Sequence, residues 1–322
     1  MSKKLMIKLL GSACLIVSGL SVAQTYPDKP VKIIVPYSAG GTADFSARQI
    51  AQKLTEQTKQ SFFVENKVGA SGTIATNYVA KAPPDGYTLL ANDTTYAMLP
   101  SLFKSLPWDH ANDLEPIAII TQTPVVLVVP ENSPFKSLTS LIAYAKVNPG
   151  KLNYGSGGAG SSTHLAAEIF KQVAQVDASH VPYKGAGEAM LAVLSGQVDF
   201  LITAAPTAIP QLQGGKIRAL AITGEKRLST ISTVPTFKEA GLSAYVVSNW
   251  FGLAAPRGTP APIISKLAAE VKKGLADPEL RERLTKLGAE PGGITPAEFK
   301  KFIQRETVAW GAAAKQAGLN AE

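Results

Sequence analysis

The sequence predicts an α/β fold made of two strand–helix series. Short apolar runs alternate with segments of helical periodicity, the alternation is interrupted once near residue 120, and small-residue loops recur where strands give way to helices. The first series opens with Val31-Lys-Ile-Ile-Val35, which runs into Pro36-Tyr37-Ser38-Ala39-Gly40-Gly41 and a helix from Thr42 with Phe45, Ile50 and Leu54 near one face. Ser61 to Val64 reads as the second strand, and the turn Pro83-Pro84-Asp85-Gly86 introduces a third from Tyr87 to Ala91. The apolar stretch Ile117 to Val129 is broken by Thr121-Gln122-Thr123-Pro124, which suits a crossing between lobes better than a strand in mid-sheet.

The second series follows as helix Leu138 to Lys146, strand Leu152 to Tyr154, a glycine loop from Gly155 to Gly160 and helix Ser162 to Val173. Strand Ser179 to Pro182, helix Glu188 to Leu194 and strands Val198 to Ile202 and Ile217 to Ile222 continue it. A polar, proline-containing connection, Gly224 to Pro235, leads to a last apolar strand, Trp250 to Ala255, by which the chain returns to the first series. From Pro262 onward the pattern is helical, with Asp277-Pro278 as a start signal and a final helix from Pro296 to Gln316.

The N-terminus reads as an export signal. Lys3, Lys4 and Lys8 precede an apolar run, Leu9 to Leu20, that is too short to span a bilayer, and Ser21-Val22-Ala23 gives the small-x-small pattern of a cleavage site. Cleavage after Ala23 removes 23 of 322 residues, leaves 299 and directs the protein to the periplasm. Cys14 lies inside the apolar run and is the only cysteine, so the mature chain has no disulfide, thiol nucleophile or cysteine metal site. The net charge of +8 falls to +5 without the three leader lysines. The remaining basic residues are scattered among glutamates at helical spacing, a pattern that argues against nucleic-acid binding.

The chemistry concentrates in loops that follow strand C-termini and open helices, where open α/β sheets bind ligands. They are Ser38-Ala-Gly-Gly-Thr42, Ser156-Gly-Gly-Ala-Gly-Ser-Ser162, Lys184-Gly-Ala-Gly187 and Thr203-Ala-Ala-Pro206. Glycine lets backbone approach a ligand, and free helix N–H groups carry about half a positive charge, so a carboxylate is the natural guest. Asp44 is placed either as a cleft acceptor or as a partner of its own helix dipole. Gly155-Ser-Gly-Gly-Ala-Gly160 matches a dinucleotide fingerprint, but Asp177 precedes the next strand where the motif needs an acid at its end. Ser161 and His164 raise a hydrolase reading, against which no G-x-S-x-G elbow exists and Ser161 or Ser162 reads as an N-cap. His110, His164 and His180 lack metal-ligand spacing, and no cofactor is expected.

Together the loops resemble the tripartite tricarboxylate transporter solute receptors, also called Bug proteins. The resemblance rests on Tyr26-Pro-Asp-Lys-Pro, Val35-Pro-Tyr-Ser-Ala-Gly-Gly-Thr-Ala-Asp-Phe-Ser-Ala-Arg48 and Pro84-Asp-Gly-Tyr-Thr-Leu-Leu90. It continues through Pro149 to Ala166, Val181-Pro-Tyr-Lys-Gly185, Gly196-Gln-Val-Asp199, Val234-Pro-Thr236 and Trp250-Phe-Gly-Leu-Ala-Ala-Pro256. It implies a two-lobed, type II periplasmic-binding-protein fold, a Venus flytrap with its ligand cleft between the lobes. Residues 24–123 and 249–322 then form the first lobe and 124–248 the second.

The same resemblance implies a monomeric receptor, not an enzyme, that hands a small carboxylate to the membrane subunits of a transporter or presents it to a sensor kinase. Tyr37, Ser38, Ala39, Gly40, Gly41, Thr42 and Asp44 inherit the role of the first-lobe cradle. Gly157, Gly158, Ser161, Ser162, His164, Tyr183, Ala204 and Ala205 supply the second-lobe side. Asn92-Asp93-Thr94-Thr95-Tyr96 departs from the family pattern, and only Thr94 and Thr95 are carried over as contacts. Few cations accompany the loops (Arg48, Lys184), which favours one or two carboxylates over three, while Phe45 and Tyr96 fit an aromatic acid and core packing equally well.

Overall fold

The computed structural model describes residues 26–316; the leader assigned to residues 1–23 lies outside the described residues. The first series comprises β1 (Val31–Val35), α1 (Thr42–Thr58), β2 (Phe62–Asn66), α2 (Thr73–Ala80), β3 (Thr88–Asp93) and α3 (Thr94–Leu102). A long strand, β4 (Leu114–Pro130), leads into the second series. There α4 (Leu138–Val147), β5 (Asn153–Ser156), α5 (Ser162–Ala174) and β6 (Ser179–Pro182) precede α6 (Ala186–Leu194), β7 (Phe200–Ala204), α7 (Ala205–Gln213) and β8 (Ile217–Ile222). The chain returns through β9 (Ser248–Pro256) and ends in α8 (Ala261–Ala276), α9 (Pro278–Lys286), the short β10 (Glu290–Pro291) and α10 (Pro296–Gln316).

The strands form two half-sheets joined by one strand. The first runs β2-β1-β3-β9-β4, and the second contains β4-β7-β5-β6 with β8 on the other side of β4. In each, three parallel strands in the order second-first-third meet antiparallel neighbours: β1 pairs β2 and β3, and β5 pairs β6 and β7. That order brings the C-terminal ends of β1, β3, β5 and β7 and the helices that follow them toward one cleft.

The interruption expected near residue 120 is absent: β4 is continuous over 17 residues. Up to Pro124 it pairs β9, and from Val125 it pairs β7 and β8. Pro124 therefore sits at the changeover of partners, where a missing N–H is tolerated. β4 thus passes from one half-sheet to the other as an unbroken strand. β10 also interrupts the helical C-terminal stretch and pairs Thr121 and Gln122 of β4. Helices α2 and α3 had no counterpart in the sequence reading; both are short, and Pro100 lies inside α3.

Local sequence explains the helix positions. Along α1, Ala43, Ala47, Ile50 and Leu54 recur at helical spacing and are buried against the first half-sheet. α9 begins where Asp277 Oδ1 accepts the Leu280 N–H at 2.9 Å and Pro278 occupies the first turn. The final helix docks on the first half-sheet through Phe299, which is fully buried and lies edge-on to Trp250 at 5.4 Å. Gly252 of β9 makes room for that ring, since a Cβ there would lie 2.5 Å from Phe299 Cζ. Phe299→Ala should cost about 3–5 kcal/mol of stability, seen as a lower urea midpoint. An unchanged midpoint would mean that α10 contributes little to the core.

Candidate functional site

Between the half-sheets lies a cavity of about 30 Å³. Tyr37, Gly41, Thr42 and Ala43 line it from the β1–α1 connection, and Asp93 from the end of β3. Gly157, Ser161, Ser162 and Thr163 come from the β5–α5 connection, Ala186 from α6, Thr203 and Ala204 from β7, and Asn249 and Phe251 from β9. The space holds about one or two waters, so a larger guest enters only as the halves part.

The halves are in direct contact around this cavity. Ser38 N–H donates to Lys184 O at 3.0 Å, and the hydroxyls of Thr42 and Thr207 meet at 2.8 Å. Ser162 N–H donates to Thr95 Oγ1 at 3.0 Å, and the Ser71 hydroxyl donates to Ala159 O. Gly187 lies so close to the first loop that a Cβ would stand 2.3 Å from Ala39 O. This is a closed arrangement, and it depends on Gly187 having no side chain.

Three helices enter the site with no side-chain cap: α1 after Gly41, α6 after Gly185 and α7 after Ala204. In α1 and α6 the first carbonyl bonds fall at Phe45 N–H to Gly41 O (2.9 Å) and Ala189 N–H to Gly185 O (3.1 Å), so the N–H groups of the preceding first-turn residues have no intrahelical acceptor, whereas the first turn of α7 offers fewer because Pro206 has no N–H. α5 differs, because Ser161 Oγ accepts His164 N–H at 3.3 Å and Thr95 takes Ser162 N–H. The site therefore offers backbone donors with partial positive charge and no lysine, arginine or histidine in its lining.

Of the residues singled out in the sequence, Tyr37, Gly41, Thr42, Gly157, Ser161, Ser162 and Ala204 line the cavity. Ser38, Ala39 and Gly40 instead form the face against Lys184 and Gly187, and Ala205 is fully buried at the start of α7. Gly158 packs on Tyr183 O, and Tyr183 N–H bonds Ser156 O. Thr94 Oγ1 accepts Trp250 N–H at 2.9 Å, and Thr95 bridges the halves.

Asp44 faces its own helix: Arg48 binds it at 2.9 Å through both Nε and Nη2, and Asn66 Nδ2 and Gly40 N–H add further bonds. Burial pushes its carboxyl up, but the bonds from Arg48, Asn66 and Gly40 outweigh this and hold it below the usual range. Asn66 Nδ2 also donates to Tyr37 O, so Asp44 braces the loop. Arg48 is thereby neutralised, and Lys184 lies outside the lining.

His164 is not turned toward the cavity. Its ring stacks on His180 at 4.0 Å, and its Nδ1 accepts Gly160 N–H at 3.0 Å, which leaves Ser161 without a base. Tyr96 stacks on His110 at 4.2 Å and donates to His110 O, so packing explains that ring.

Asp93 and Asn249 were not chosen from the sequence, although Asp93 ends a parallel strand as the recognised loops do. Its side chain accepts from Tyr37 OH at 3.1 Å and Thr95 Oγ1 at 3.3 Å. Burial raises its pKa from 3.8 to about 7, and the hydrogen bonds of Tyr37 and Thr95 restrain the rise. A raised folded pKa stabilises fully below about 3.8, and that contribution is lost as pH climbs through about 7. The upper limit of the loss is roughly 4 kcal/mol. Asp93→Asn should therefore be more stable than the parent at pH 8, and the difference should shrink toward pH 4 in melting curves. A gap that does not change with pH would refute this account of Asp93.

Known proteins share this architecture. The family model described as tripartite tricarboxylate transporter family receptor matches residues 46–319. The chain is 35% identical to protein BugT of Bordetella pertussis over 298 residues, 92% of this chain and 91% of that one. An R. palustris protein solved with adipate is 37% identical with a TM-score of 0.89, and the match covers 92% of this chain and all of that one, 100%. MatC from Rhodopseudomonas palustris, solved with bound malate, is 34% identical with a TM-score of 0.85, covering 89% and 99%. The periplasmic binding protein BugD gives 34% and 0.88, over 92% of this chain and 100% of that one. The fold is thus that of the two-lobed periplasmic solute-binding proteins, and the chain belongs to the tripartite tricarboxylate transporter family receptors, which bind solutes and are not enzymes.

Proposed function

We propose that this receptor closes around a small organic acid with one or two carboxylates and delivers it to the membrane subunits of a tripartite tricarboxylate transporter. In this reading residues 124–248 move as one lobe against residues 24–123 and 249–322, and the leader ending at Ala23 takes the chain to the periplasm. The observation that carries the proposal is the convergence of uncapped N-termini of α1, α6 and α7 on one closed cavity without cationic side chains. Each bond from such an N–H to a carboxylate contributes roughly 1.5–3 kcal/mol, and withdrawal from water strengthens it. Relatives solved with adipate and with malate support the same class of solute.

The cradle is drawn from Tyr37, Gly41, Thr42, Gly157, Ser161, Ser162 and Ala204, with Ala43, Thr163, Ala186 and Thr203 beside them. Ser38, Ala39, Gly40, Gly158, Tyr183 and Ala205 shape the closing faces, Asp44 braces the first loop, and Thr94 and Thr95 fix the ends of β9 and α5.

A thermal-shift screen should show stabilisation by mono- or dicarboxylates and none by their amides; stabilisation by sugars alone would overturn the carboxylate reading. Gly187→Ala tests closure. It improves helix propensity within α6 and leaves the open state free of strain, so the melting temperature without ligand should hold or rise. Affinity by calorimetry should fall by about 100-fold or more, because the closed state has no room for the methyl group. Unchanged affinity would separate ligand binding from the closed arrangement.

A further inference from the structure

The cavity contains a carboxyl group where an anion-binding site would be expected to exclude one. Asp93 is 5% exposed, and among the described residues no lysine, arginine or histidine forms an ion pair with it. Its hydrogen-bond donors, the hydroxyls of Tyr37 and Thr95, are neutral, and the nearby N–H groups of Thr95 and Tyr96 at the start of α3 offset its charge only in part, since burial still outweighs them all. A second acceptor lies in the same lining: Asn249 is 3% exposed, and its Oδ1 is buried with no hydrogen-bond donor. The cavity thus has two poles. Helix N-termini supply donors for an anion, and Asp93 with Asn249 supplies acceptors for a group that must bring both hydrogens and positive charge.

An ordinary N-cap role does not account for Asp93. It stands at the N-cap of α3 with the Thr95 and Tyr96 N–H groups near enough to favour its charged form, but it completes no capping hydrogen bond there, and its side-chain bonds run instead to Tyr37 across the β1 end and to the Thr95 hydroxyl. Thr95 in turn accepts from Ser162 N–H of α5, so a chain of hydrogen bonds leads from the second half-sheet to this carboxylate. The group is held where closure takes place.

We propose that Asp93, assisted by Asn249 Oδ1, is the specificity-determining acceptor for a protonated amino group, and that the preferred solute is an amino acid whose carboxylate rests on the helix N-termini. This deepens the carboxylate reading and rests on it. The ammonium cancels the buried charge and satisfies the Asn249 oxygen, whereas a plain acid adds a second negative charge beside the first. The exchange of an unpaired buried charge for a hydrogen-bonded pair favours the zwitterion.

The test compares matched acids by calorimetry at pH 8: succinate with aspartate, glutarate with glutamate, propionate with alanine, and 3-phenylpropionate with phenylalanine. In the parent protein at least one amino acid should bind about tenfold or more tightly than its plain partner. Asp93→Asn keeps the shape and removes the charge; it should cut that ratio to about one and let the plain acid bind more tightly. An N-cap or purely structural role would change both members of a pair alike. Plain acids that match or exceed the amines in every pair, or a preference that survives Asp93→Asn, would overturn the proposal. The parent ratios decide the matter even if the variant fails to fold. If no acid of the set binds, the carboxylate reading itself falls.

Discussion

The first turns of α1, α6 and α7 present N–H groups that no side chain caps, and the form of the cleft follows from the need to satisfy them. Buried backbone donors without acceptors are rare because each costs about as much as a lost hydrogen bond. Here they are brought to one place by two half-sheets with matching strand order, so that closure buries them all together. In the proposed reading the resulting field draws anions without a lysine or arginine in the lining, and the small loops allow the backbones to approach. Gly187 shows how close that approach is: its backbone takes the place that any side chain would contest with Ala39 O.

Asp93 works against this field and is therefore informative. Its raised pKa means that the folded protein holds its charged form at a cost in stability. Residues kept at such a cost concentrate in functional sites, whereas Asp44, one turn into α1, is fully matched by Arg48 and Asn66 and merely fixes the loop. Two aspartates near one cleft thus have opposite electrostatics: Asp44 is matched by a guanidinium, whereas the hydroxyls bonded to Asp93 carry no charge.

Much of this was legible in the sequence because the relevant signals are local. Small-residue loops after apolar runs located β1–α1, β5–α5 and the entries to α6 and α7, since glycine content and strand ends are adjacent in the chain. β1, β6 and β8 have the bounds expected, and β2, β3, β5, β7 and β9 shift by one or two residues, within the range where ladder pairing decides the ends. What was hidden depends on partners far away. The continuity of β4 through Pro124 cannot be read without knowing that its neighbours change there. His164 looked like a cleft residue from its place in the first turn of α5, but stacking on His180 from β6 turns it inward. Asn249 enters the cavity only because β9, 156 residues after Asp93, pairs with β3.

That pairing also orders events in time. The strands of the second half-sheet lie between residues 125 and 222, so that half can form as soon as its own segment is available. The first half-sheet cannot: Leu90 pairs with Ala254, and between them lies the whole of the second. Closing so long a loop is entropically costly before any contact offsets it, so such pairings form slowly and late. β1, β2 and β3 must therefore wait with an unpaired edge until β9 arrives, and the N-terminal segment of this chain should be the last part of it to become protected.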